Sequence, residues 1–236
     1  TVNNFVASDS SDIQMLVLCE TYNVDGTPHV TNKRYTANQL MAEHSDYIPL
    51  FGIEQEFFLF HKDIEHNVNN AINLKSKPQG DYYCGVGGNN ISSTERTCIE
   101  EMVRCAMAAE LSVTGMNAEV APSQWEIQVC DEGVHAADQL MLLRYIMSRV
   151  AEKYDLYVNI EPKPLKGNWN GSGCHVNFST LSMREPDGYR HIQKAIEKLK
   201  EAHSYHIDNY GEGNKERLSG NHETASWETF TSDVAD

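Results

Sequence analysis

The stretch Leu50–Phe60, LFGIEQEFFLF, limits what this chain can fold into more than any other. It is apolar or aromatic at most positions and reads as a strand, yet Glu54 and Glu56 interrupt it at i and i+2, a spacing that puts both carboxylates on one face. Like charges on one face repel. If the strand lies at the centre of a sheet, two buried carboxylates cost several kcal/mol each unless a cation compensates them. Oxygen-rich sites of this kind suit Mg2+ or Mn2+. A strand with one solvated face accounts for the same spacing without a metal.

Other segments extend the chemistry. Glu119 and Glu126 flank Pro122, which cannot join a ladder and suits the turn of a hairpin over Met116–Cys130. Such a hairpin brings the two carboxylates within reach of one another. Gln124, Glu126 and Gln128 alternate with Trp125, Ile127 and Val129, a polar face against a core face. Any half-exposed hairpin has that alternation; with Glu54 and Glu56 it makes a set of four carboxylates. Asn168–His175, NWNGSGCH, is a glycine-rich loop running into a strand at Cys174–Ser179, where His175, Asn177 and Ser179 share a face. A neutral imidazole is a common metal ligand, and glycine-rich loops bring backbone N–H groups close to anions. A lone strand histidine is also an ordinary core residue, and this GxG lacks the strand-then-helix setting of a dinucleotide fingerprint. In GEGNKERLSGNHETASWETF, Arg217 and Glu223 fit a mobile lid with charged side chains, or a plain surface loop. Lys33 and Arg34 read as solvated charges.

The remaining pattern gives the frame. A strand is expected over Met15–Glu20, extending to Thr21 and Tyr22 and ended by the turn Asn23–Gly26, and another over Leu156–Ile160. Helices are expected from Ser92 or Ser93 to about Leu111, over Ala136–Lys153 and over Gly188–His203, while His61–Asp81 is polar and reads as a loop. Strands interspersed with long helices and containing a hairpin indicate an α+β fold. The 236 residues allow one main domain, and 40% hydrophobic with 22% charged residues is enough for a single core, which excludes disorder and fibre. A net charge of −15 disfavours nucleic acid and anionic membrane as partners but leaves room for phosphate carried on a divalent cation. No apolar run approaches the roughly 20 residues of a membrane span, and Thr1–Ser10 lacks the features of a secretory signal, so a cytoplasmic protein is expected. The six cysteines contain no CxxC pair and are expected to be reduced and mostly packed.

Together the stretches LVLCETYNVDGTPHVTNKR, FGIEQEFFLF, YYCGVG, NAEVAPSQWEIQV, KGNWNGSGCHVNFST and ERLSGNHETASWETF closely resemble the glutamine synthetases of the class typical of eukaryotes, in family order and over nearly the whole chain. The resemblance implies a curved antiparallel sheet that carries the metal site, flanked by helices. Residues 27–236 would belong to the catalytic domain and residues 1–26 to the end of an N-terminal β-grasp domain. It implies ATP-dependent ligation of ammonium to L-glutamate through γ-glutamyl phosphate, in homo-oligomeric rings whose active sites lie between neighbouring subunits. One cation would be held by Glu56, Glu119 and Glu126, and a second by Glu54, His175 and one further glutamate. Asn168, Trp169 and Gly171 would hold glutamate. Glu54, Glu126, Gln128, Asp131, Asn177, Phe178 and Ser179 would line the nucleotide site. Glu223 would deprotonate ammonium and Arg217 would lie near the transferred phosphate.

Departures bear on what the chain can do. The family's arginine-rich strand and last metal glutamate follow the position of Asp236, and its ammonium-site aspartate precedes Thr1, so the chain reads as a fragment that is inactive alone. Ala121, Ser123, Cys130 and Val176 are smaller differences. A non-catalytic relative with a structural or assembly role, and a ligase joining another amine to glutamate, are the alternatives left open.

Overall fold

The computed structural model describes residues 2–5, 14–61, 83–85 and 92–232. The predicted loop after His61 lies outside the described residues up to Asp81. In chain order come β1 (Val2–Phe5), β2 (Gln14–Val17), α1 (Lys33–Glu43), β3 (Leu50–His61), α2 (Ser93–Ala108), β4 (Val113–Ala118), β5 (Gln124–Glu132), α3 (Val134–Ala151), β6 (Leu156–Asn159), β7 (Cys174–Ser179), α4 (Leu181–Arg184), α5 (Tyr189–Glu201), α6 (His203–Asn209) and α7 (Asn214–Arg217). The result is the expected α+β architecture, with an open antiparallel sheet and flanking helices. No helix of the described residues is long and apolar enough to cross a membrane.

Strand β3 organises the sheet. Its twelve residues exceed any partner, so β5 runs along one side while β7 and β6 follow one another along the other. Strand β4 pairs with β5 at the edge. Ile53, Phe57 and Leu59 on one face of β3 join Trp125, Ile127 and Val129 of β5 and pack on Ile99, Met102 and Ala106 of α2 and Leu143, Ile146 and Met147 of α3. Each fully buried large side chain there contributes about 1.5–3 kcal/mol. On the other face Phe58 and Phe60 form a smaller cluster with Ala121 and Leu165, against which Trp169 packs. Thus β3 is central and both its faces are covered along Phe57–Phe60; the solvated-face reading fails for buried Glu56, whereas Glu54 keeps partial exposure.

Several expectations need correction. Before Asn23 the sequence predicts one strand, whereas β1 and β2 form an antiparallel pair and β2 ends at Val17. Helix α2 stops at Ala108, short of Leu111, because Glu110 turns left-handed (φ +62°) and the Leu111 N–H bonds back to Ala106 O. Met107, in its last turn, is exposed. Helices α1, α4, α6 and α7, none of which has a buried residue, were not expected. Arg34 is not solvated: its guanidinium grips both oxygens of buried Asp138 on α3 at 2.7 Å and also bonds Glu20. Cys98 is in the core, but Cys19, Cys84 and Cys174 are exposed, so packing is not the common role of the cysteines.

Candidate functional site

The register of three neighbouring strands builds the site. Glu54 stands opposite Gln128 of β5 and opposite His175 of β7, and Glu56 stands opposite Glu126. Because alternate residues share a face, all five side chains belong to the face of the sheet away from α2 and α3. Glu119, just past β4, returns over the turn, where its N–H bonds Gln124 O at 2.9 Å. Two groups of potential ligands result, Glu56–Glu119–Glu126 and Glu54–Glu126–His175, each with its donor atoms within 4.8 Å of one another. Glu126 belongs to both.

Each carboxylate is aimed by a neighbour. Glu56 Oε2 accepts hydrogen bonds from the Gly173 N–H at 2.7 Å and the Gln124 amide at 3.1 Å, and Glu56 N–H donates to Gly173 O at 3.0 Å. Glu54 accepts from Asn177 at 2.6 Å, Glu126 from Gln128 at 2.5 Å and Glu119 from Asn117 at 2.9 Å. His175 Nδ1 lies 3.4 Å from Glu54 and 3.9 Å from Glu56, and Arg217 approaches Glu56 at 3.7 Å. Gln55, between the two glutamates, points to the opposite face, where Arg144 of α3 donates to its Oε1 at 2.8 and 2.5 Å. Its own amide donates to Glu56 O, which ties β3 to the helix at the site.

Those hydrogen bonds do not remove the electrostatic conflict. Burial, followed by the charges of Glu56 and Glu126, pushes the Glu119 carboxyl up to about 7. Burial also raises Glu126, partly offset by the Gln128 hydrogen bond. The charge of Glu119, with burial and the more distant Glu126 and Glu223, raises the Tyr83 hydroxyl. A crowded set of buried oxygen donors that hold their protons more tightly than ordinary carboxyls is a fit for a hard divalent cation, which would replace the protons as counter-charge.

Lack of room for a side chain decides two glycines. A Cβ on Gly171 would sit 2.3 Å from Pro162 O and 2.9 Å from Arg217 Cγ, so no side chain fits. One on Gly173 would come to 3.0 Å from the Arg217 guanidinium and 3.2 Å from Glu56 Oε1. A cavity of about 750 Å³ opens beside these residues, lined by Gln55, Arg144, Ser172, Cys174, His175 and Arg217 among others.

Not every expected residue converges on the carboxylates. Glu54, Glu56, Glu119, Glu126, His175, Gln128, Asn177 and Arg217 do. Asp131 instead bonds Gln139 of α3, Ser179 Oγ accepts from Arg184 at 2.9 Å, and Phe178 lies on the reverse face of β7 with its ring 5.2 Å from Phe51. Asn168 is exposed, and Trp169 packs on the smaller apolar cluster. Glu223 is exposed and, like His222, left-handed (φ +63° and +57°), a strained pair in a loop whose charge reaches Tyr83. Sequence reasoning missed Gln124 and buried Asn170 as supports of the site, although Gln124 shares the face of Glu126.

Comparison with known proteins gives the family. A family model described as glutamine synthetase, catalytic domain, matches residues 31–202. The chain is 48% identical to a glutamine synthetase of Candida glabrata over 93% of its own length and 58% of the relative's. For the glutamine synthetase of Amanita muscaria the values are 48%, 94% and 62%, and for that of Saccharomyces cerevisiae 47%, 94% and 59%. The chain therefore spans about three fifths of the length of the curated relatives it matches. With the family motifs lying on the strands that assemble the carboxylate face, this chain belongs to the glutamine synthetase catalytic-domain family.

Proposed function

We propose that this chain forms the metal- and nucleotide-binding part of a ligase that joins ammonium to L-glutamate, with ATP consumed through γ-glutamyl phosphate. The observation that supports it best is Glu126, which stands in both groups of potential ligands, Glu56–Glu119–Glu126 and Glu54–Glu126–His175. Divalent cations, Mg2+ or Mn2+, supply neutralisation of phosphate charge and polarisation of the transferring phosphoryl group. Glu56, Glu119 and Glu126 hold one of them, and Glu54, Glu126 and His175 hold the other.

The chain's other residues bind, orient and exclude water. Gln128, Asp131, Asn177, Phe178 and Ser179 line the nucleotide site, with Asn177 also fixing Glu54. Asn168, Trp169 and Gly171 hold glutamate beside Arg217, whose guanidinium offsets charge on the moving phosphoryl. Glu223, on its strained loop, takes the proton from ammonium and closes the site against hydrolysis of the acyl phosphate. Residues 27–236 are assigned to the catalytic domain and 1–26 to the end of a β-grasp domain, in a cytoplasmic homo-oligomer.

The test uses the full-length protein with glutamate, ammonium, ATP and Mg2+, reading glutamine by mass and phosphate release in parallel. Stoichiometric glutamine and phosphate are expected. Phosphate release without glutamine, or a γ-glutamyl amide formed only with an amine other than ammonium, overturns the assigned reaction. The 236-residue chain alone is expected to bind Mn2+ and to form no glutamine.

A further inference from the structure

Helix α2 starts next to the turn that carries two of the candidate ligands. Its first turn buries a carboxyl: Glu95 is 3% exposed. Glu95 Oε1 lies 3.0 Å from Ser123 Oγ, and Oε2 accepts the Trp125 indole N–H at 3.3 Å, a bond in which the indole can only donate. Ser123 holds a left-handed conformation (φ +62°) that a serine adopts only under constraint. Its carbonyl accepts from Leu59 N–H at 2.9 Å, and on either side lie the Gln124 N–H to Ala121 O and Glu119 N–H to Gln124 O bonds that close the turn. Arg96, the next residue of α2, lies over the Trp125 ring at 5.9 Å and donates to Gly85 O at 2.7 Å. The start of α2 therefore grips the turn between Glu119 and Glu126 from the side opposite the site.

We propose that Glu95 is a positioning residue for the buried three-carboxylate group, holding the turn through Ser123 and Trp125 so that Glu119 and Glu126 converge on one cation with Glu56. The proposal rests on the cation reading above. Glu95 does not itself reach the cation, since its hydrogen bonds point into the packing between α2 and β5. What it supplies is orientation: two ligands that already repel one another and Glu56 keep their geometry only if the connecting turn cannot swing.

The experiment titrates Mn2+ into the chain, followed by electron paramagnetic resonance, alongside amide hydrogen exchange of Glu119 and Gln124. Glu95→Gln keeps an acceptor for the indole and a partner for the serine, and is expected within about twofold of the parent. Glu95→Leu removes both, and Mn2+ affinity should fall about tenfold while exchange at Glu119 and Gln124 accelerates by a similar factor. Exchange at Leu143 and Ile146 of α3 should stay unchanged. Parental affinity and parental turn exchange in Glu95→Leu overturn the proposal, as does an acceleration spread equally through α3, which marks a purely structural group. Should Glu95→Leu fail to fold, Ser123→Ala carries the same test with an expected loss of about threefold, and no loss overturns it. If the parent chain itself binds no Mn2+, the cation reading falls, and the exchange comparison alone decides whether Glu95 holds the turn.

Discussion

The two ligand groups share Glu126 yet occupy different environments. Glu56, Glu119 and Glu126 are all buried, whereas in the second group the side chains of Glu54 and His175 are 29% and 56% exposed. The buried group concentrates negative charge where little solvent screens it, and its cost appears as the weakened acidity of Glu119. Solvent screens the open group, and an imidazole that can be neutral replaces one carboxylate there. On the proposed reading, a cation would relieve the charge conflict of the first group more than that of the second.

The largest test of that contrast removes the shared residue. Glu126→Ala takes a ligand from both groups, and in the full-length protein turnover should fall on the order of a thousandfold, with metal-supported ATP binding lost as well. Unchanged turnover measured by glutamine formation breaks the comparison at its root.

Next in size is the pH dependence of the metal-free chain. Glu119 is raised from an ordinary 4.5 to about 7, so the folded state holds its proton more tightly than the unfolded state does. Between those values the unfolded chain loses protons first, and stability falls as pH rises, by a total on the order of 3 kcal/mol above pH 7. Urea unfolding from pH 4.5 to 8 should show that decline, saturating Mn2+ should reverse it, and Glu119→Gln should flatten it. A metal-free chain that gains stability over the same range rules out the buried conflict.

The smallest effect separates the two groups. His175→Ala should weaken only the open one, lowering the affinity of the more loosely bound Mn2+ about tenfold in a two-site titration and leaving the tighter site in place. Equal weakening of both would mean that the groups act as one centre.

Much of this was legible in single segments. Strand period placed β3, β5 and β7 to within a few residues, because alternation along a strand reports which face is buried without naming the partner. The turn at Asn23–Gly26 was legible because Asp25 and Gly26 carry its hydrogen bonds and left-handed φ locally. Helix α1 was not legible: it buries nothing, and its reason for being there is the Arg34 contact to Asp138, 104 residues away. Glu95 escaped for a related cause, since a glutamate on a first helical turn looks like a partner for the helix dipole until Ser123 and Trp125 are packed beside it.

The sequence alone determined the chemistry on offer: glutamates in place on one face of a strand, a histidine on another, and glycines where the loop must pass close by. Whether those glutamates were solvated or buried was undecided by anything local. Tertiary structure settled it by burying Glu56 and leaving Glu54 partly open, by setting the register that stands Glu54 against His175 and Glu56 against Glu126, and by bringing the Gly173 N–H to Glu56 across 117 residues. The physical reason is that side-chain period is a property of each strand, while register and burial belong to the sheet that the strands share.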